Sequence, residues 1–94
     1  MVYVVAELGI REDAREAYME FAKEMVEETN KEEGCIMYEA CVRNDNPLVF
    51  GFIEKWESKE ALDAHMATAH MAKFRAQTAP LRSAEATISF YGPF

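Results

Sequence analysis

From Val2 to Ile10 apolar residues occupy most of both alternating sets of positions, Val2, Val4, Ala6 and Leu8 on one side, Tyr3 and Val5 with Glu7 and Gly9 on the other. That pattern predicts a strand covered on both faces for most of its length. From Glu12 the repeat lengthens. Ala14, Ala17, Tyr18, Phe21, Ala22, Met25 and Val26 follow one helical stripe with charged residues between them, so an amphipathic helix is expected, closed near Gly34. Cys35 to Arg43 alternates again, with Ile36, Tyr38, Ala40 and Val42 opposite Cys35, Met37, Glu39, Cys41 and Arg43. Asn44-Asp45-Asn46-Pro47 supplies a turn, and Leu48 to Trp56 reads as a third strand on which Glu54 and Trp56 share the face of Leu48, Phe50 and Phe52. Ser58 is a natural N-cap for the next helical stripe, Ala61, Leu62, His65, Met66 and Ala69. Pro80 limits it, and Ala84 to Tyr91 is the last strand.

The order is βαββαβ over residues 1–94, read as one α+β domain of the ferredoxin-like type, with an antiparallel sheet and both helices on one face. Two helices cover only that face. The first and third strands carry apolar side chains on the other face too, so a second copy of the sheet is expected to cover it, giving a homodimer through the sheet faces.

Composition narrows the partners. Ten basic against seventeen acidic residues leave a net charge of −7, which repels phosphate backbones and anionic membrane surfaces. Nucleic acid and membranes are therefore not expected partners. Much of the acid falls in Glu12-Asp13, Glu27-Glu28 and Glu32-Glu33, read as a solvated helix face. Cys35 and Cys41, on one strand, would stand about 20 Å apart if extended, too far to pair, so both are expected reduced and the compartment cytoplasmic. No apolar run approaches the roughly 20 residues of a membrane helix, and no signal peptide is expected at the amino terminus.

The chemistry concentrates between Phe50 and His70, which holds the only tryptophan and both histidines as W-x8-H-x4-H. On a helix His65 lies about 60° from Leu62 and about 40° from Ala61, inside the apolar stripe. An inward histidine can exchange a proton near neutral pH; the plain alternative is a core histidine held by one hydrogen bond to backbone or to a carboxylate such as Glu54. His70 is about 140° from His65 on a continuous helix, too far round to share an ion unless the chain breaks near Ala67-Thr68-Ala69, where Thr68 could cap a new segment. Even with such a break, two histidines without a cysteine cluster or HExxH spacing are a weak metal signal, and no metal is expected. Trp56 offers an indole N–H to a bound oxygen atom, and Tyr38 a hydroxyl from the neighbouring strand. Phe52, Glu54, Met66, His70 and Phe74 are the expected substrate-binding residues. Cys35 lacks a basic neighbour that would make it a nucleophile, and no glycine-rich phosphate loop or dinucleotide fingerprint occurs.

Glu33-Gly34-Cys35-Ile36-Met37-Tyr38, Phe50-Gly51-Phe52-Ile53-Glu54-Lys55-Trp56, Ser58 through His65, and Thr68-Ala69-His70 together resemble the antibiotic biosynthesis monooxygenase family of dimeric α/β barrels, most nearly its small quinol monooxygenase-like members. The resemblance implies an oxygenase without a cofactor, acting on an electron-rich phenol or quinol and molecular oxygen in a pocket between sheet and helices. It implies catalytic roles for His65, Trp56 and Tyr38: the histidine as base, and Trp56 or Tyr38 orienting oxygen through a hydrogen bond. Members that degrade haem resemble a pattern with asparagine on the first strand, where Glu7 stands here. Members that isomerise a phosphorylated signalling sugar share the two-histidine segment, and Lys55, Lys73, Arg75 and Arg82 are the basic residues near it. Isomerisation, or ligand binding without catalysis, are the alternative readings.

Overall fold

The computed structural model describes residues 1–94. Its elements are β1 (Val2–Gly9), α1 (Arg15–Thr29) after a 3-10 turn at Glu12–Ala14, β2 (Cys35–Arg43), β3 (Asn46–Trp56), α2 (Lys59–Met66), α3 (Ala69–Thr78) and β4 (Thr87–Tyr91). The four strands form an antiparallel sheet in the order β2-β3-β1-β4, a ferredoxin-like α+β fold.

Register follows the side-chain alternation. Val4 pairs with Glu54, Ala6 with Phe52 and Leu8 with Phe50, while Tyr38 pairs with Glu54 across the other edge of β3. These residues face the helices, because only that choice puts Phe50 and Phe52 against Tyr18 of α1 and Phe74 of α3. Tyr18, Ala22, Met25 and Thr29 recur at intervals of four, three and four and are the buried stripe of α1.

Four features depart from the sequence expectation. The first helix stops at Thr29, five residues before Gly34, and residues 30–34 form a loop. Asn44 and Asp45 alone make the β2-β3 turn, so Pro47 lies inside the strand near its start, where a proline is tolerated. A register shift between Cys35 and Met37 makes Ile36 the extra residue of a bulge, which moves Cys35 opposite Trp56 and leaves Ile36 46% exposed. The fourth strand begins at Thr87 rather than Ala84, because the chain before it is held by Ser83 N–H donating to the Gly9 carbonyl and by an isolated bridge between Ile10 and Arg82. Cys35 and Cys41 are both unpaired. No helix is long and apolar enough to cross a membrane.

Candidate functional site

The second helical region is two helices, not one, and the break organises the site. Ser58 caps α2, its hydroxyl accepting from Ala61 N–H at 3.1 Å. α2 ends after eight residues; Thr68 then caps α3 by accepting from Met71 N–H at 3.2 Å and donates its own hydroxyl to the His65 carbonyl at 2.8 Å. One threonine thus closes the first helix and opens the second. The break removes the separation that a continuous helix would impose on the histidines. His65 and His70 have ring centroids 6.2 Å apart, and both turn to one atom.

That atom is Oε2 of Glu32. His65 Nδ1 lies 2.8 Å from it and His70 Nε2 2.6 Å. An ionised carboxylate accepts only, so both facing nitrogens carry hydrogen and donate. Glu32 corrects two expectations at once: it is not part of a solvated helix face, its side chain being 14% exposed, and it, not Glu54, is the carboxylate that binds His65. It sits in the loop after α1, where Glu32 N–H donates to the Thr29 carbonyl and its own carbonyl accepts from Cys35 N–H. Gly34 completes the loop at φ 83°, a left-handed conformation natural to glycine. A Cβ there would approach Ala61 Cβ of α2 to 2.5 Å, so this glycine also permits the loop to lie against the helix that carries His65.

His65 is fully buried, and its ring stacks obliquely 4.7 Å from Trp56 and 5.5 Å from Tyr38. Burial lowers its pKa below the ordinary value, while Glu32 pulls the other way through its hydrogen bond and charge. The neutral imidazole is favoured, with Nδ1 protonated by its contact to Glu32 and Nε2 left with its lone pair. Nε2 has no partner within the protein, yet the only fully enclosed orphaned polar atoms are the Tyr18 hydroxyl and Thr29 Oγ1. His65 is also one of the residues that line the adjoining cavity.

That cavity, about 200 Å³, lies between the sheet and the α2-α3 elbow. His65, Tyr38, Phe52, Glu54, Met66 and Phe74 line it, with Arg75 and Arg82 also on its wall. The Tyr38 hydroxyl and the second oxygen of Glu54 likewise have no protein partner and are not enclosed. Desolvation raises the Glu54 pKa to about 7, with the nearby Glu32 charge adding to the rise and the Trp56 hydrogen bond opposing it. Desolvation also raises Tyr38, with Glu54 the next cause, so its phenol stays protonated. A wider groove of about 760 Å³ runs along the outer edge of β2 beneath α1, and Tyr38 forms part of the wall between the two spaces. It contains neither histidine.

Two expected site residues stand elsewhere. Trp56 is wholly buried and does not line the cavity; its indole N–H donates to Glu54 Oε1 at 2.9 Å, so it is committed to a carboxylate and is not free to orient oxygen. His70 faces Glu32 and a crevice beside α1 rather than the cavity. Cys35 is further from reactivity than its neighbours suggested, burial and the charges of Glu32 and Glu54 pushing its thiol pKa up.

The four-stranded antiparallel sheet, with its helices on one face and a cavity between them, places the chain in the ferredoxin-like α+β class. The family model for antibiotic biosynthesis monooxygenases matches residues 1–77, and the chain belongs to that family. It is 30% identical over 92 residues to "Putative monooxygenase Rv0793" of Mycobacterium tuberculosis, covering 98% of this chain and 90% of that protein. The solved structure of Rv0793 superposes with a TM-score of 0.93, over 99% of this chain and 94% of the other. A crystal structure described as an antibiotic biosynthesis monooxygenase superposes at 0.95 with 29% identity, over 100% and 99% of the two chains. The uncharacterized protein sll1783 of Synechocystis is 26% identical over 90 residues; the match takes in 96% of this chain and 61% of that longer protein. Family and relatives together support a monooxygenase-like function.

Proposed function

We propose that this chain is a monooxygenase that oxidises a small electron-rich phenol or quinol with molecular oxygen and needs no organic cofactor. The observation that carries the reading is that His65, Tyr38 and Glu54, each with a side-chain polar atom that has no protein partner, line one cavity with Phe52, Phe74 and Met66. His65 Nε2 accepts the substrate's phenolic proton, and Glu32 fixes the tautomer that leaves that nitrogen basic. The phenolate passes electrons to oxygen; one oxygen atom ends on a ring carbon and the other leaves as water, whose two hydrogens come from the phenolic hydroxyl and from that ring carbon. No external reductant is required. Tyr38 donates to the oxygen that gains charge, and the apolar walls keep water from the intermediates. Glu54, titrating near neutrality, can return a proton. Trp56 holds Glu54 and supports the His65 ring. The chain is proposed to work as a homodimer joined through the sheet face.

Oxygen uptake and quinone formation with a panel of dihydroxyaromatics test this. We expect His65→Ala to lower kcat by about 100-fold or more, the scale of a lost general base. Glu32→Gln should lower kcat about tenfold or more while moving the acid limb of the pH profile to lower pH, because it removes the group that raises the His65 pKa. No oxygen consumption with any substrate, or turnover indifferent to His65→Ala, would overturn the proposal.

Arg75 and Arg82 on the cavity wall favour a second reading, isomerisation of a small phosphorylated sugar, since two guanidinium groups suit a phosphate. Turnover of such a substrate that continues without oxygen distinguishes it.

A further inference from the structure

We propose that Glu32, His65 and His70 form a binding site for one divalent transition-metal ion of the zinc, cobalt or nickel class, set behind the cavity and reached from the solvent side. Two histidines without a cysteine cluster or HExxH spacing are a weak metal signal in sequence even with a break at Ala67-Thr68-Ala69; the break and a third donor from a distant loop supply what spacing did not.

The donor atoms Glu32 Oε2, His65 Nδ1 and His70 Nε2 all lie within 4.8 Å of one another. Ligands bound at about 2.1 Å stand about 3.0 Å apart at a right angle and about 3.4 Å apart in a tetrahedron. The carboxylate oxygen is 2.8 and 2.6 Å from the two nitrogens and retreats by less than about 1 Å to admit an ion, while the nitrogens, within 4.8 Å of each other, close to about 3.4 Å by rotation of the His70 ring at the open side. Two imidazoles and one carboxylate suit zinc and its neighbours, whereas calcium and magnesium need more oxygen ligands than this cluster has.

The backbone that carries the ligands is held before any ion arrives. Thr68 fixes the His65 carbonyl and starts the helix that carries His70, and backbone bonds on both sides of Glu32 fix its loop. Access is one-sided: the His65 side chain is 1% exposed, Glu32 14% and His70 22%, so water can complete the coordination from the His70 side.

Binding has a consequence for the cavity, and this part rests on His65 being the base. An imidazole that gives Nδ1 to a metal carries its hydrogen on Nε2, the nitrogen that would otherwise take the substrate proton. The ion and the reaction then compete for one ring, and zinc inhibits turnover reversibly.

Chelator-treated protein titrated with zinc chloride in a calorimeter, and with cobalt chloride by visible absorption, tests the site independently of turnover. We expect one ion per chain, micromolar or tighter, and at least about tenfold weaker binding in Glu32→Gln and His70→Ala variants whose circular dichroism matches the parent. In the parent protein zinc should shift the ring resonances of both histidines. No saturable uptake, uptake unaffected by both substitutions, or unmoved histidine resonances would overturn it. Zinc uptake without oxygenase activity sinks the proposed reaction and leaves the site; oxygenase activity without zinc uptake does the reverse.

Discussion

A carboxylate at position 54 is an unusual occupant of a hydrophobic sheet face, and its consequences are measurable. Glu54 is 6% exposed between Val4 and Tyr38, and burial holds its folded-state pKa near 7. Unfolding returns it to the ordinary carboxylate range, so the unfolded chain gives up this proton at lower pH than the folded one. The sign follows: this group's contribution is fully present at acidic pH below the unfolded value and is lost as pH rises toward and through 7. His65, with a lowered pKa, acts in the opposite direction, its contribution being lost as pH falls below its unfolded value. Urea unfolding at pH 5 and pH 8 should therefore show Glu54→Gln relieving about 2–3 kcal/mol of the alkaline loss. Equal pH dependence in the two proteins would contradict the assignment.

At the scale of elements, the loop between α1 and β2 matters as much as the helices. It contributes Glu32 and depends on Gly34, whose left-handed backbone and missing Cβ let it rest on Ala61. Gly34→Ala introduces both backbone strain and a 2.5 Å approach, and we expect about 2 kcal/mol or more of destabilisation by thermal unfolding. It should also weaken whatever depends on Glu32 reaching His65. A variant with unchanged stability and unchanged histidine titration by NMR would show that the loop has room to shift.

For the whole molecule, the uncovered side of the sheet is the unresolved demand. Val5 and Ile53 are direct neighbours in register and are 44% and 45% exposed, with Tyr3 paired to Tyr91 beside them. Glu7 and Arg43, 3.6 Å apart, give that face a charged margin. A stable interface removes about 800 Å² from each partner, and an apolar centre with a polar margin is its usual composition. Sedimentation of the parent protein at micromolar concentration should give a dimer, and Ile53→Glu a monomer, because it puts a charge into the apolar patch that the interface would bury. A parent monomer would contradict sheet-face dimerisation.

Much of this was written in the order of residues. Alternation and helical spacing determined the βαββαβ arrangement, the inward face of β3 and the inward direction of His65, because these depend on neighbours two to four positions apart. Ser58, and Thr68 as a cap after a break, were legible for the same reason. Glu32 was not. It precedes His65 by 33 positions, and in sequence it is one acid among seventeen; the only signal was its place two residues before a glycine that ends the helical pattern. The tertiary structure also decided that Trp56 faces Glu54 rather than the cavity, that a bulge at Ile36 moves Cys35 across the strand, and that two histidines meet at one oxygen. Periodicity fixes which side of an element a residue occupies, whereas a partner across the fold is chosen by packing and by where loops stop, which local spacing does not encode.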